Sequence, residues 1–294
     1  MELKIENLQK TYPNGVHALK GINLTIQNGL FGLLGPNGAG KSSLMRTIAT
    51  LQEPGAGSVL LNGVDVLNDK QHMRRQLGYL PQEFGTYTNV TAAEMLNHIA
   101  ILKGITDKKV RKALCSRLLK QTNLLDASNK KLGSYSGGMK QRFGVAQALL
   151  GSPNVLIVDE PTAGLDPAER KRFLNMLSEI GEQVIVILST HIVDDVQEIC
   201  SSMAIIDKGE VKYQGKPAEA IDLLKGRVWK KTITRAEEKQ YNESCTILSS
   251  RLTDGMAEIH VLSENNPGSF ESTTPDLEDV YFAALKNSLQ PVKS

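Results

Sequence analysis

The feature that most constrains this chain is Gly35-Pro36-Asn37-Gly38-Ala39-Gly40-Lys41-Ser42, set between the apolar run Leu30 to Leu34 and the helically spaced Leu44, Ile48 and Leu51. Strand, glycine-rich loop and helix stand in the order a phosphate-binding loop requires. The glycines let successive backbone N–H groups turn toward one anion, and the helix behind them adds the positive end of its dipole. On this spacing the loop from Gly35 to Ser43 cradles phosphates and Lys41 reaches their outer oxygens. The Ser42 hydroxyl is placed to ligate Mg²⁺.

A second apolar strand, Val155 to Val158, ends in Asp159-Glu160. A carboxylate there lies at the sheet's carboxyl edge, where open α/β sheets bind ligands. Asp159 is the candidate for the magnesium shell, and Glu160 the candidate general base that polarises an attacking water. Further strands are expected at Val184 to Leu188 and Met203 to Ile206. Helices are expected at Ser43 to Leu51, Met95 to Leu102, Val110 to Leu119, Met139 to Leu150, Val193 to Cys200 and from Pro167 onward. Thr91-Ala92-Ala93-Glu94 and Asp166-Pro167-Ala168-Glu169 both read as capping boxes, the second with proline at its favoured first helical position. Short strands, Leu3 to Leu8 and Ile22 to Ile26, flank the turn Pro13-Asn14-Gly15. Alternating strands and helices predict an α/β fold with a mostly parallel sheet. After Gly215-Lys216-Pro217 the pattern changes to strands at 228–233, 244–250 and 256–262, a Pro/Gly/Ser/Thr-rich loop at 264–275 and a helix over 277–285. The expected division is a main unit over 1–225, with a helical part at about 83–150, and a small α+β unit over 226–294.

Charge and cysteine usage narrow the function classes. The 294 residues carry 34 Lys+Arg against 32 Asp+Glu, a net charge of +2, so no global field favours nucleic acid. The basic run Lys108-Lys109-Val110-Arg111-Lys112 reads as a solvated helix face, and no nucleic-acid partner is expected. Cys115, Cys200 and Cys245 are far apart and odd in number. That disfavours a disulfide framework or zinc site and fits a reducing compartment. The start of the chain lacks a signal-peptide layout, and the strongest apolar runs are strand-sized. Any membrane work is expected from the cytoplasmic side.

Between the two phosphate-site motifs lies Tyr135-Ser136-Gly137-Gly138-Met139-Lys140-Gln141-Arg142. Ser-Gly-Gly ahead of a helix offers backbone donors and a hydroxyl at a positive terminus, a second anion site. With this segment in place, residues 1–220 resemble the ATP-binding subunits of ABC transporters. The resemblance implies a P-loop NTPase core with an antiparallel β subdomain and a helical subdomain, and ATP hydrolysis with ATP and Mg²⁺ at the site. It also implies that Ser136, Gly137 and Gly138 close on the γ-phosphate held by a second nucleotide-binding subunit, identical or closely related. Gln82, in Leu80-Pro81-Gln82, matches the glutamine that senses magnesium and the attacking water. Gly164-Leu165-Asp166 matches the loop that crosses the dimer interface, His191 the switch histidine at the γ-phosphate, and Tyr12 the aromatic that stacks on adenine. The signature departs from Leu-Ser-Gly-Gly-Gln at Tyr135 and Met139, and a methionine cannot donate the amide hydrogen bonds of glutamine.

The same resemblance implies a separate transmembrane permease, with this chain peripheral on the inner face of the membrane. Phe84, Tyr87 and Val90 are the expected contact points. The ending Leu277-Glu278-Asp279-Val280-Tyr281-Phe282 is similar to that of subunits serving exporters of drugs, lipids or polysaccharides, so export is expected over import. Soluble relatives in translation or DNA repair usually carry two cassettes or a long coiled coil. One cassette and no sustained heptads favour the transporter reading.

Overall fold

The computed structural model describes residues 1–82, 84–85, 87–234, 236–253 and 255–289. The chain opens with β1 (Glu2–Thr11), β2 (His17–Gln27), β3 (Gly29–Leu34), α1 (Lys41–Ile48), β4 (Ala56–Leu61), β5 (Val64–Asp65), α2 (Lys70–Gln76) and β6 (Leu77–Leu80). Three helices follow: α3 (Ala92–Leu102), α4 (Lys108–Gln121) and α5 (Gly137–Ala148). An alternating stretch comes next, with β7 (Val155–Asp159), α6 (Pro167–Gly181), β8 (Ile185–Thr190), α7 (Val193–Ile199), β9 (Ser202–Asp207), β10 (Glu210–Gly215) and α8 (Pro217–Asp222). Last are β11 (Val228–Ile233), α9 (Glu238–Ser244), β12 (Thr246–Thr253), β13 (Met256–Leu262), β14 (Glu271–Ser272) and α10 (Leu277–Leu285).

The central sheet has the order β10-β9-β3-β8-β7-β6, and of its strands β10 alone pairs antiparallel. β7 and β8 are buried along their whole length, as strands covered on both faces must be. Their side chains alternate between two cores. Val155 and Ile157 join Leu3, Ile5, Leu24 and Leu44 beneath the antiparallel sheet β2-β1-β4-β5 and α1. Leu156 and Val158 instead join Phe143, Leu174 and Leu177 beneath α5 and α6. This is the α/β core, antiparallel sheet and helical part that the resemblance implies.

Local chemistry explains where the elements begin and end. Thr91 and Glu94 form the reciprocal capping box, so α3 starts at Ala92. The second expected box forms only by half. Asp166 accepts from the Glu169 N–H at 2.9 Å, but the Glu169 carboxylate turns away to Arg142 and to Arg172 at 2.8 Å. α1 stops at Ile48 because Thr50 takes a left-handed φ of 58°, leaving Leu51 61% exposed rather than in the helix. α9 occupies 238–244, which periodicity did not predict and which delays β12 to Thr246.

The last sheet has the order β12-β13-β11-β14 and its own apolar cluster, including Ile233, Ile247, Ile259, Val261 and Phe270. α10 does not stay with it alone. Its Leu277, Val280, Ala283 and Ala284 belong to the same buried cluster as Val196, Met203 and Ile205 of the main core. The helix is pinned at its start by Asp279, fully buried, whose carboxylate lies 2.9 and 3.0 Å from His260 Nδ1. That hydrogen bond raises the His260 pKa above its ordinary 6.5, against the opposing effect of burial. The charged pair therefore contributes its full stability below about pH 6.5 and loses it as pH rises through the raised value. Denaturant midpoints measured from pH 5.5 to 9 should show wild type losing its margin over His260→Gln as pH rises; a margin that is flat with pH would refute the coupling.

Candidate functional site

The parallel strands deliver the chemistry to one edge. β3 runs into the glycine-rich loop, β7 ends in Asp159 ahead of Glu160, β8 ends in Thr190 ahead of His191, and β6 is followed closely by Gln82. The loop is held between two neighbours. Gly40 has φ +108°, and a Cβ there would come within 2.5 Å of the Ala18 carbonyl; at Gly35 it would come within 2.4 Å of the Ile206 carbonyl. Only glycine fits either place. The Gly209 N–H, in the β9–β10 turn, donates to the Ala39 carbonyl at 2.9 Å and props the loop from beneath.

The loop walls a cavity of about 560 Å³, whose lining includes Pro36 through Ser43, Tyr12, Gln82 and Glu160. Lys41 is nearly buried, and its Nζ donates to the Gly35 carbonyl at 2.7 Å and the Pro36 carbonyl at 3.2 Å. Burial lowers its pKa, while the charge of Glu160, 3.6 Å away, opposes that shift. Three predicted residues converge on Glu160. Lys41 meets Oε1, Gln82 Nε2 donates to Oε2 at 3.4 Å, and His191 Nδ1 lies 3.4 Å from the same oxygen. Glu160 itself adopts φ +47° and donates its N–H to the Ser189 carbonyl at 2.9 Å. Left-handed backbone at a bulky residue is strain that the surrounding structure must impose.

Asp159 is 4% exposed, and its Oδ1 has no hydrogen-bond partner. Burial raises its pKa, and the Ser189 and Ser42 hydroxyls pull it back. A buried carboxylate oxygen left unpaired beside a serine hydroxyl is the donor set that Mg²⁺ takes, so these residues fit the ion. Tyr12 also lines the cavity, its hydroxyl 3.0 Å from Ser43 Oγ and donating to Gln52 Oε1 at 3.1 Å. Ser136, Gly137 and Gly138 do not line this cavity. Ser136 caps α5 by accepting the Met139 N–H at 3.2 Å, so the Ser-Gly-Gly segment opens a helix as expected, apart from the nucleotide cavity. Tyr135 has a packing role: it is 4% exposed, donates its hydroxyl to the Ala127 carbonyl at 2.9 Å and packs edge-on against Phe143.

One group escaped sequence reasoning. Asp195, fully buried in α7, accepts from Thr162 Oγ1 and Arg170 Nε, both at 2.6 Å, and from Thr190 Oγ1 at 3.4 Å. It ties the segment after Glu160, the start of α6 and the strand end before His191. Asp194 and Asp195 are adjacent acids in the sequence, and nothing in that pattern says which one turns inward.

A phosphate loop at the carboxyl edge of this sheet, with an acidic strand end and a capped signature helix, defines a nucleotide-hydrolysing fold. Comparison with known proteins carries this further. Residues 19–163 match the family model described as ABC transporter. The chain is 34% identical over 299 residues to the uncharacterized ABC transporter ATP-binding protein YxlF of Bacillus subtilis (strain 168), covering 96% of this chain and 99% of that protein. It is also 34% identical over 302 residues to the probable multidrug ABC transporter ATP-binding protein YbhF of Escherichia coli (strain K12), covering 96% of this chain and 52% of that protein. The phosphonates import ATP-binding protein PhnC of Alcaligenes faecalis is 38% identical over 234 residues, covering 75% of this chain and 84% of that one. Among solved structures, cbiO1 from Clostridium perfringens, part of the ABC transporter complex cbiONQ, superposes with TM-score 0.68 at 28% identity, covering 75% of this chain and 90% of that chain. The ATP-binding cassette MJ0796, solved as a dimer in a post-hydrolysis state with ADP and Pi, superposes with TM-score 0.65 at 28% identity, covering 73% of this chain and 98% of that chain. The chain belongs to the ABC transporter ATP-binding proteins. It is an ATPase of that class.

Proposed function

We propose that this chain hydrolyses ATP in a head-to-tail pair and drives export through a separate transmembrane permease. Phosphoryl transfer asks chiefly for positioning and charge neutralisation. In this reading the loop from Gly35 to Ser43 holds the phosphates, Tyr12 stacks on adenine, and Lys41 leaves the Gly35 and Pro36 carbonyls for the outer phosphate oxygens. Ser42, Asp159 and Gln82 would hold Mg²⁺, which when bound neutralises charge on those oxygens. Glu160 takes the proton of the attacking water, and Gln82 and His191 orient that carboxylate and sense the γ-phosphate. The cap at Ser136 to Gly138, exposed at Ser136 and Gly137, would complete the site of the partner subunit, which accords with its standing clear of its own cavity.

The direction of transport is the finer part of the proposal, and one observation carries it. The match to the multidrug protein spans 96% of this chain, whereas the match to the phosphonate importer spans 75%. That broader match supports the export reading, in which we treat the last sheet and α10 as a small accessory unit over 226–294 beside an ATP-binding unit over 1–225. Among the described residues no helix is long and apolar enough to cross a membrane. Membrane work would then pass through another chain, and Tyr87, 70% exposed, is a candidate contact. The cytoplasmic face is the location this proposal takes from the resemblance to ABC transporter ATP-binding subunits. Cells lacking the chain should become more susceptible to a panel of toxic amphiphiles, and wild type but not Lys41→Ala should restore resistance. A loss of nutrient uptake with susceptibility unchanged would overturn the export reading.

A further inference from the structure

Away from the nucleotide cavity, α3, α4 and the turn at Leu125–Ala127 enclose a second cavity of about 320 Å³. Its floor is apolar. Cys115 and Leu119 are 6% and 2% exposed, and Ala93 and Leu125 add to the wall. The charged residues that line it are all of one sign, Lys108, Arg111 and Lys112, about one turn of α4. Of the neighbouring acids, Asp126 lies in the Leu125–Ala127 turn outside the lining, and Asp107 caps α4, its carboxylate accepting the Lys109 and Val110 N–H groups at 2.8 and 2.9 Å. Arg111 is held in place. Its Nε donates to Asn97 Oδ1 at 2.7 Å, and its Nη1 to the Ile105 and Thr106 carbonyls at 3.0 and 2.9 Å. Lys108 and Lys112 are exposed.

These features select a ligand class. A neutral apolar molecule would fill the floor but make no use of the three cations beside it. Inorganic phosphate would satisfy the cations but leave the apolar floor in water. An amphiphile with an anionic head and a hydrocarbon tail meets both demands. The volume is at the small end of ligand pockets, enough for one chain rather than two.

We propose that this cavity binds a free single-chain carboxylate, its tail against Cys115 and Leu119 and its headgroup among Lys108, Arg111 and Lys112. The lining shares no residue with the nucleotide cavity, so the proposal stands apart from the transport reading. Calorimetric titration of the full chain with laurate, below its micelle concentration, should show saturable one-to-one binding. Butyrate, which lacks the tail, and dodecanol, which lacks the charge, should bind at least about tenfold more weakly. Lys108→Glu with Lys112→Glu should weaken laurate by about tenfold or more. Ser116→Trp, a substitution at an exposed lining position, should abolish it, and both variants should keep the basal ATP turnover of wild type. Three outcomes overturn the proposal: no saturable laurate binding, laurate binding unchanged in both variants, or binding only to vesicles of anionic phospholipid. Capture of an acidic leucine-containing peptide with no laurate bound would also overturn it, in favour of a protein partner.

Discussion

Glu160→Gln should lower steady-state ATP turnover by about 10²–10⁴-fold while leaving ATP bound. The substitution keeps the size and one acceptor oxygen of the side chain and removes the negative charge that would take a proton. Glu160 is also the point on which Lys41, Gln82 and His191 converge, at 3.6, 3.4 and 3.4 Å. Losing its charge weakens the hold on Lys41, which frees that cation for phosphate and should favour nucleotide retention. The proposal therefore predicts two opposite changes in one variant. Phosphate release falls steeply, and the nucleotide-loaded pair accumulates on a sizing column with ATP. Turnover within about tenfold of wild type would remove Glu160 from the general-base role.

Asp195→Ala should destabilise the fold by about 3 kcal/mol, the low end of the range for breaking a buried pair, because Arg170 is 28% exposed and can regain water. The carboxylate is fully buried and serves three donors at once, from Thr162, Thr190 and Arg170. Removing it leaves two buried hydroxyls and a guanidinium to find other partners. Denaturant unfolding with Arg170→Ala and the double variant forms the test. The double variant should recover part of the loss, since it removes the unpaired cation as well. A single-variant loss under about 1 kcal/mol would mean that packing, and not this network, holds the end of β8 to α6.

Much of the site was legible in the sequence because its parts depend on local rules. A phosphate loop needs glycines at fixed places and a following helix, and Gly35, Gly40 and Lys41 meet that need within a few residues. A carboxylate at the end of an apolar strand can be read without knowing the strand's neighbours, as at Asp159 and Glu160 after Val155 to Val158. Tyr12, Gln82 and His191 came from resemblance, being single residues with no local rule to mark them. The fold was legible where periodicity was strong, as in β3, β7, β8 and α10. It was not legible at β4 or α9, whose patterns are weak, nor at Glu169, whose capping role was lost to two arginines.

The sequence by itself determined that the chain carries a phosphate loop, an acidic strand end and a capped signature helix, because each is built from neighbours along the chain. Only the tertiary structure decided how they meet. It placed the loop, Glu160, Gln82 and His191 on one sheet edge and set Ser136 to Gly138 apart from them. It also chose Asp195 over Asp194 for burial and gave Glu160 its left-handed backbone. The physical reason is separation in sequence. Gln82, Glu160 and His191 lie far apart along the chain, and only the order of strands in an open, packed sheet brings such residues within hydrogen-bonding range.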